Sequence, residues 1–193
     1  MSPGRCVKRR EASRRVSKGN IIILCVAVAV FAIVFSVYSL WIPKRYGAEV
    51  GFACRRYGVS ENLIFAVVKT ESGFDKTAVS AKGATGLMQV MPTTAKFVAE
   101  KYGEKTEDLY DPKYNVCCGT AYLAYLKDKF GDEKVALAAY NAGEGNVVKW
   151  LKDKRYSSDG KTLYEIPFAE TRGYIKKVLR LKRCYDVFYR PFS

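Results

Sequence analysis

The sequence predicts a mainly α-helical fold, one helical domain preceded by a single N-terminal transmembrane helix. Two observations carry that expectation. An unbroken apolar run near the N-terminus is long enough to cross a bilayer, and apolar residues recur at helical spacing through most of the remaining chain. The length of 193 residues, with 49% hydrophobic and 13% aromatic content, allows one domain with an appendage and argues against a disordered basic tail.

The apolar run is IIILCVAVAVFAIVFSVYSLWI, residues 21–42, and contains no charge. As a helix rising about 1.5 Å per residue it spans roughly 33 Å. A cleaved signal peptide fits less well, because the run exceeds a typical signal core and no small-x-small site closes it before Trp41, Pro43 and Lys44. Cys25 lies inside the run, which argues against lipid attachment after it. Residues 1–42 hold seven Lys or Arg against Glu11 alone, so this end is expected in the cytoplasm and the remainder outside. The expected division is a basic cytoplasmic segment at 1–20, an anchor at 21–42 and an extracytoplasmic domain at 47–190.

Within the domain, Val50, Ala53, Cys54 and Tyr57 mark a first helix that Gly58 stops. Ser60 is placed to cap a second helix with Glu61 in its first turn, running to about Ser72. Its apolar stripe is Ile64, Val67 and Val68, and the next step of the same period falls on Glu71. Residues 72–95, rich in glycine, read as loop with at most one helical turn. The Thr93-Thr94 pair is expected to cap a helix through Tyr102. Pro112 opens a longer one, with Val116, Gly119, Thr120, Leu123, Leu126 and Phe130 inward, that ends at Gly131. Asp132 caps a helix over 133–142, a short one follows at 146–152, and 155–161 reads as surface loop. The last helix starts near Pro167 and reaches Phe188, with Tyr174, Val178, Leu181, Tyr185 and Phe188 on one side.

No histidine occurs anywhere, which removes Ser-His and Cys-His nucleophiles, imidazole-bound zinc and a histidine base. No CxxC is present either, so neither a metal nor another cofactor is expected. Cys54, Cys117, Cys118 and Cys184 fall in the exported part, where they form disulfides or serve as buried thiols. The excess of positive charge, +14 overall, comes without any nucleic-acid motif, and attraction to anionic wall polymers or headgroups accounts for it as well. Nucleic acid is not an expected partner. Glu71 is the informative anomaly: a carboxyl on an apolar helix face loses hydration when charged, so its pKa rises and it can hold a proton near neutrality.

The motifs Glu71-Ser72-Gly73-Phe74, Ser80, GATGLMQVMPTTA at 83–95, AYNAG at 139–143 and IPFAETRGY at 166–174 agree in order and spacing with one family. Residues 47–185 thereby resemble the soluble lytic transglycosylase catalytic domain (SLT domain, family 1), which has a goose-lysozyme-like fold. The resemblance implies cleavage of the β-1,4 bond between N-acetylmuramic acid and N-acetylglucosamine in peptidoglycan strands, leaving 1,6-anhydro ends. It makes Glu71 the single acid and then base. It places Ser80, Gln89, Met91, Tyr140, Asn141 and Glu170 at the saccharide, with Ser80 orienting the carboxyl or acetamido group and Gln89 offering a donor and an acceptor. It also implies a bacterial cell-membrane protein whose catalytic domain faces away from the cytoplasm. Two readings compete: a hydrolytic muramidase with Asp75 as second carboxylate, and a wall-binding subunit without chemistry.

Overall fold

Pattern and turn chemistry set the helices, and burial sets how they pack. The computed structural model describes residues 18–103, 105 and 107–189, so most of the expected basic segment 1–20 lies outside the described residues. The chain divides into two compact units, residues 1–43 and 44–193. The first contains α1 (Lys18–Trp41), whose window Gly19–Ser36 has a mean hydropathy of 2.6 and is long and apolar enough to cross a membrane. Its described side chains between 19 and 36 are exposed.

The second unit is helical, with α2 (Gly47–Tyr57), α3 (Glu61–Glu71), α4 (Pro92–Tyr102), α5 (Pro112–Phe130), α6 (Glu133–Ala142), α7 (Glu144–Lys152) and α8 (Ala169–Phe188). Among the described residues, β structure is limited to the isolated bridges Val79 to Thr85 and Thr85 to Val90. α3 is the centre: Leu63, Ile64, Phe65, Ala66, Val67 and Val68 are all buried, so the helix is covered on every side. Burial of each large apolar side chain is worth about 1.5–3 kcal/mol. α8 packs along α3 in the opposite direction. Asn62 Nδ2 donates to Asp186 Oδ1 at 2.8 Å near one end of the pair, and Lys177 Nζ donates to Thr70 O at 3.5 Å near the other. α5 supports α2, α4 and α6, and α6 carries α7.

Several expectations change at helix ends. α4 starts at Pro92, with Met91 rather than a threonine in the capping position, because proline needs no N–H partner at a first helical position. Ser60 occupies the cap position of α3, but its side chain makes no capping bond. α7 begins two residues earlier than its apolar pattern indicates, directly after Gly143. Phe188, expected on the buried side of the last helix, is 41% exposed at its frayed end. Asp111 and Asp132 do cap α5 and α6, accepting from Tyr114 N and Val135 N. Cys54 is a buried thiol, and burial pushes its pKa up to about 12.

The loop between α3 and α4 has little regular structure of its own, and one buried amide holds it. Asn115 of α5 is fully buried; its Oδ1 accepts from Met88 N, and its Nδ2 donates to Thr85 O and Leu109 O, each at 2.8 Å. Gly86, at φ 78°, passes so close that a Cβ there would lie 2.3 Å from Asn115 Nδ2. A Cβ at Gly119 would lie 2.6 Å from Met88 Sδ, so Met88 packs on bare helix backbone. Asn115→Ala removes the side-chain partner of Met88 N and Leu109 O, while Thr85 O keeps Val90 N, and a loss of about 3 kcal/mol in urea denaturation is expected. Gly86→Ala is expected to destabilise as well, because it meets both a left-handed backbone and the Asn115 amide.

Candidate active site

The carboxyl of Glu71 lies at the C-terminal end of α3, where the helix gives way to a turn that is pinned twice. Ser72 Oγ donates to Leu87 O at 2.9 Å and accepts from Phe74 N at 3.2 Å. The serine after the glutamate therefore ties the helix end to the 85–90 loop. Gly73 and Phe74 both have positive φ, 63° and 72°, which swings the chain away from the helix axis. Asp75 is carried outward by that turn: its Oδ1 accepts from Thr77 N and Thr77 Oγ1, and these bonds hold its pKa below the usual carboxylate value.

Glu71 opens into a cleft of about 590 Å³. The cleft also contains Ser80, Gln89, Met91, Tyr140, Asn141 and Glu170, so the seven residues named from sequence come together in one place. They arrive from four directions: the end of α3, the 80–91 loop, the end of α6 and the first turn of α8. Asp75 is not among the lining residues.

Each side chain is held differently. Ser80 Oγ accepts from Ala84 N at 3.0 Å, within a turn closed by Ser80 N to Ala84 O at 2.8 Å, so one hydroxyl serves the turn and lines the cleft. Gln89 has φ 47°, a strained value for a side-chain-bearing residue. Its Nε2 donates to Ala78 O and Gly86 O, both at 3.0 Å, so the amide donors hold the loop and Oε1 is left to accept. Tyr140 Oη donates to Met88 O at 2.9 Å, joining α6 to the same loop. Asn141 Oδ1 accepts from the buried Thr171 Oγ1 at 2.7 Å, which fixes the amide and leaves its NH2 as the group to offer.

Burial raises the Glu71 pKa from 4.5 to about 7. The Tyr174 hydroxyl and the Lys177 charge oppose the rise, and Glu170 adds slightly to it. Tyr174 Oη is itself buried and has no hydrogen-bond partner within bonding distance, as does Thr70 Oγ1 one residue before the glutamate. Lys177 directs its ammonium to the Thr70 carbonyl rather than into an ion pair with Glu71. Burial and the charge of Glu71 push the Tyr140 and Tyr174 hydroxyls well above their ordinary values, so both stay protonated as neutral donors.

Three lining residues with polar side chains were not named as site residues from sequence: Lys82, Thr94 and Tyr122. Tyr122 reaches the cleft from α5, its ring 5.8 Å from Tyr140 and backed by Phe97 and Tyr125. Among 14 tyrosines nothing in its local pattern sets it apart. Asn115 and Thr171, which hold the lining residues from behind, are polar residues on otherwise buried helix faces. That is the one local signal they carry.

Comparison with known proteins agrees with this geometry. The family model described as the Transglycosylase SLT domain matches residues 50–163, and that described as the Soluble lytic transglycosylase helical domain matches residues 165–193. The chain is 39% identical over 156 residues to the soluble lytic murein transglycosylase of Salmonella typhimurium, covering 78% of this chain and 24% of that one. It is 37% identical over 167 residues to the membrane-bound lytic murein transglycosylase C of Edwardsiella ictaluri, covering 73% and 46%. Among solved structures it resembles an inactive mutant of the lytic transglycosylase Slt from Pseudomonas aeruginosa, at TM-score 0.69 and 36% identity, covering 79% of this chain and 25% of that one. The chain thus spans about a quarter of the soluble relatives and about half of the membrane-bound one.

The raised pKa makes Glu71 a stability statement. Its folded value exceeds its unfolded one, so the neutral form favours folding fully below 4.5, and that contribution is lost as pH rises through about 7. Glu71→Gln is therefore expected to melt later than the unsubstituted chain at pH 8, by up to about 3 kcal/mol, with the gap closing by pH 4. Tyr174→Phe removes a donor that favours the carboxylate, so titration of the Glu71 carboxyl by NMR is expected to move further up.

Proposed function

Since the chain belongs to the transglycosylase SLT domain family, we propose that it is a membrane-anchored peptidoglycan lytic transglycosylase. It cleaves the bond between N-acetylmuramic acid and N-acetylglucosamine. The observation that carries this reading is a buried carboxyl held near neutral pKa in the lining of a cleft, with no ion-pair partner among the described residues.

The chemistry needs one group to act twice. Protonated Glu71 gives its hydrogen to the glycosidic oxygen, so the bond to C1 breaks and the N-acetylglucosamine side leaves as an alcohol. The substrate's acetamido group assists at C1. Glu71, now a carboxylate, takes the proton of the muramic acid's own 6-hydroxyl as that oxygen attacks C1, and a 1,6-anhydro ring closes. Atoms balance without water. The Tyr174 hydroxyl, unpartnered beside Glu71, is suited to donate to the carboxylate between the two steps. Asn141 offers its NH2, Gln89 its Oε1 and Ser80 its hydroxyl to the sugar's acetamido and hydroxyl groups, with Met91 beneath and Glu170 at the rim.

A hydrolytic muramidase needs a second carboxylate to activate water. Asp75 is turned away and bonded to Thr77, which leaves Glu170 as the candidate. Glu170 is exposed on the first turn of α8. The anchor is the apolar helix α1, with residues 1–20 on the cytoplasmic side and the 47–190 domain on the other. The name of the Edwardsiella relative supports membrane attachment in the family.

Mass spectrometry of digested peptidoglycan tests the proposal. The expected products carry anhydro ends one water lighter than reducing ends. Hydrated ends favour the muramidase, and no release favours a binding subunit. Glu71→Gln is expected to lower turnover by roughly 100- to 10,000-fold. Because the acid must be protonated, kcat/KM is expected to fall as pH rises above about 7.

A further inference from the structure

We propose that the outward face of α8 docks on anionic lipid headgroups and so orients the domain over the bilayer, an inference that rests on the membrane-anchored reading above. The face is built at helical spacing. Lys176, Arg180, Arg183 and Val187 follow one another at three or four residues, opposite the buried Tyr174, Val178, Leu181 and Tyr185. Between residues 172 and 183 there is no acid. The other cations of the helix are engaged: Arg172 on Ile166 O and Pro167 O, Lys177 on Thr70 O, and Lys182 on Glu133. Lys176, Arg180 and Arg183 have no hydrogen-bond or ion-pair partner among the described residues and point away from the core. The row ends in an exposed apolar side chain, Val187 at 74%.

A cationic helix face is by default a solvated one. What directs this one to a bilayer is where the chain enters the domain. Lys44, three residues after the apolar helix, has its ammonium 4.3 Å from the centre of the Tyr189 ring, immediately beyond α8. The end of α8 that carries Val187 and Phe188 is therefore the end where the tether arrives. Five residues, 42–46, join α1 to α2, and fully extended they reach roughly 17 Å. Cations held that close to an anionic surface are attracted across about one Debye length, and Val187 at the row's end can enter the headgroup layer. Acidic wall polymers share the charge but give no reason for the apolar end to sit beside the tether.

The test uses the full chain in lipid nanodiscs of phosphatidylcholine alone, or with phosphatidylglycerol added. A membrane-impermeant amine reagent and mass spectrometry read each lysine. Lys176 is expected to react about fivefold more slowly in the anionic discs, while Lys96 on α4 is unchanged. High salt, and the double variant Arg180→Glu with Arg183→Glu, are expected to remove the difference while anhydro-product release from a soluble glycan stays as before. Equal rates in both discs overturn the proposal and leave the anchor intact. Slowing that appears only when peptidoglycan is added, equally in both discs, overturns it in favour of a wall contact. A chain that enters neither disc overturns the anchor, and the docking with it.

Discussion

The cleft depends on the 85–90 loop being fastened to three helices at once. Ser72 reaches it from the end of α3 through Leu87 O, Asn115 from α5 through Thr85 O and Met88 N, and Tyr140 from α6 through Met88 O. Each fastening ties a backbone group of the loop to a helix, and the Thr85 and Val90 backbone pair closes the loop on itself, so loosening one fastening strains the others. The strain at Gln89 and the left-handed Gly86 persist because these bonds over-determine the loop. A segment with almost no regular structure thereby forms a firmly held wall of the cleft.

The behaviour of Glu71 is a consequence of that wall. The loop and Tyr140 line the cleft beside the carboxyl, and Lys177, whose charge reaches Glu71, donates to the Thr70 carbonyl. Burial without a paired charge leaves the neutral form favoured, which a salt bridge would have reversed. The orphaned Tyr174 Oη belongs to the same arrangement, because it lies beside Glu71 and favours its charged form.

Much of this was legible in the residues themselves, and for physical reasons. Glu71 stood out because it continued the stripe of Ile64, Val67 and Val68, and a stripe is a statement about burial. Asp111, Asp132 and Gly131 announced helix ends because their chemistry is local. What was not legible concerns groups whose partners are distant in sequence. Gln89 Nε2 reaches Ala78 O eleven residues back, Asn115 reaches back 27 residues to Met88, and Tyr122 meets Tyr140 only through the packing of α5 on α6. Thr93 and Thr94 look like a cap, yet Pro92 already satisfies the helix start. Local pattern cannot rank such competitors, because the deciding energy lies in tertiary contacts.

The antiparallel pairing of α3 and α8 adds a geometric consequence. Asn62 and Asp186 meet at one end, where Lys44 and Tyr189 also lie, and Glu71 and Tyr174 stand at the other. The nine steps from Asn62 to Glu71 rise about 14 Å. The chain therefore enters the helical unit at the opposite end of the central helix from Glu71, and α3 sets the distance between them. That spacing and the cleft both rest on α3. Shortening α3 would destroy both, because the same six buried residues that set the spacing also form the core.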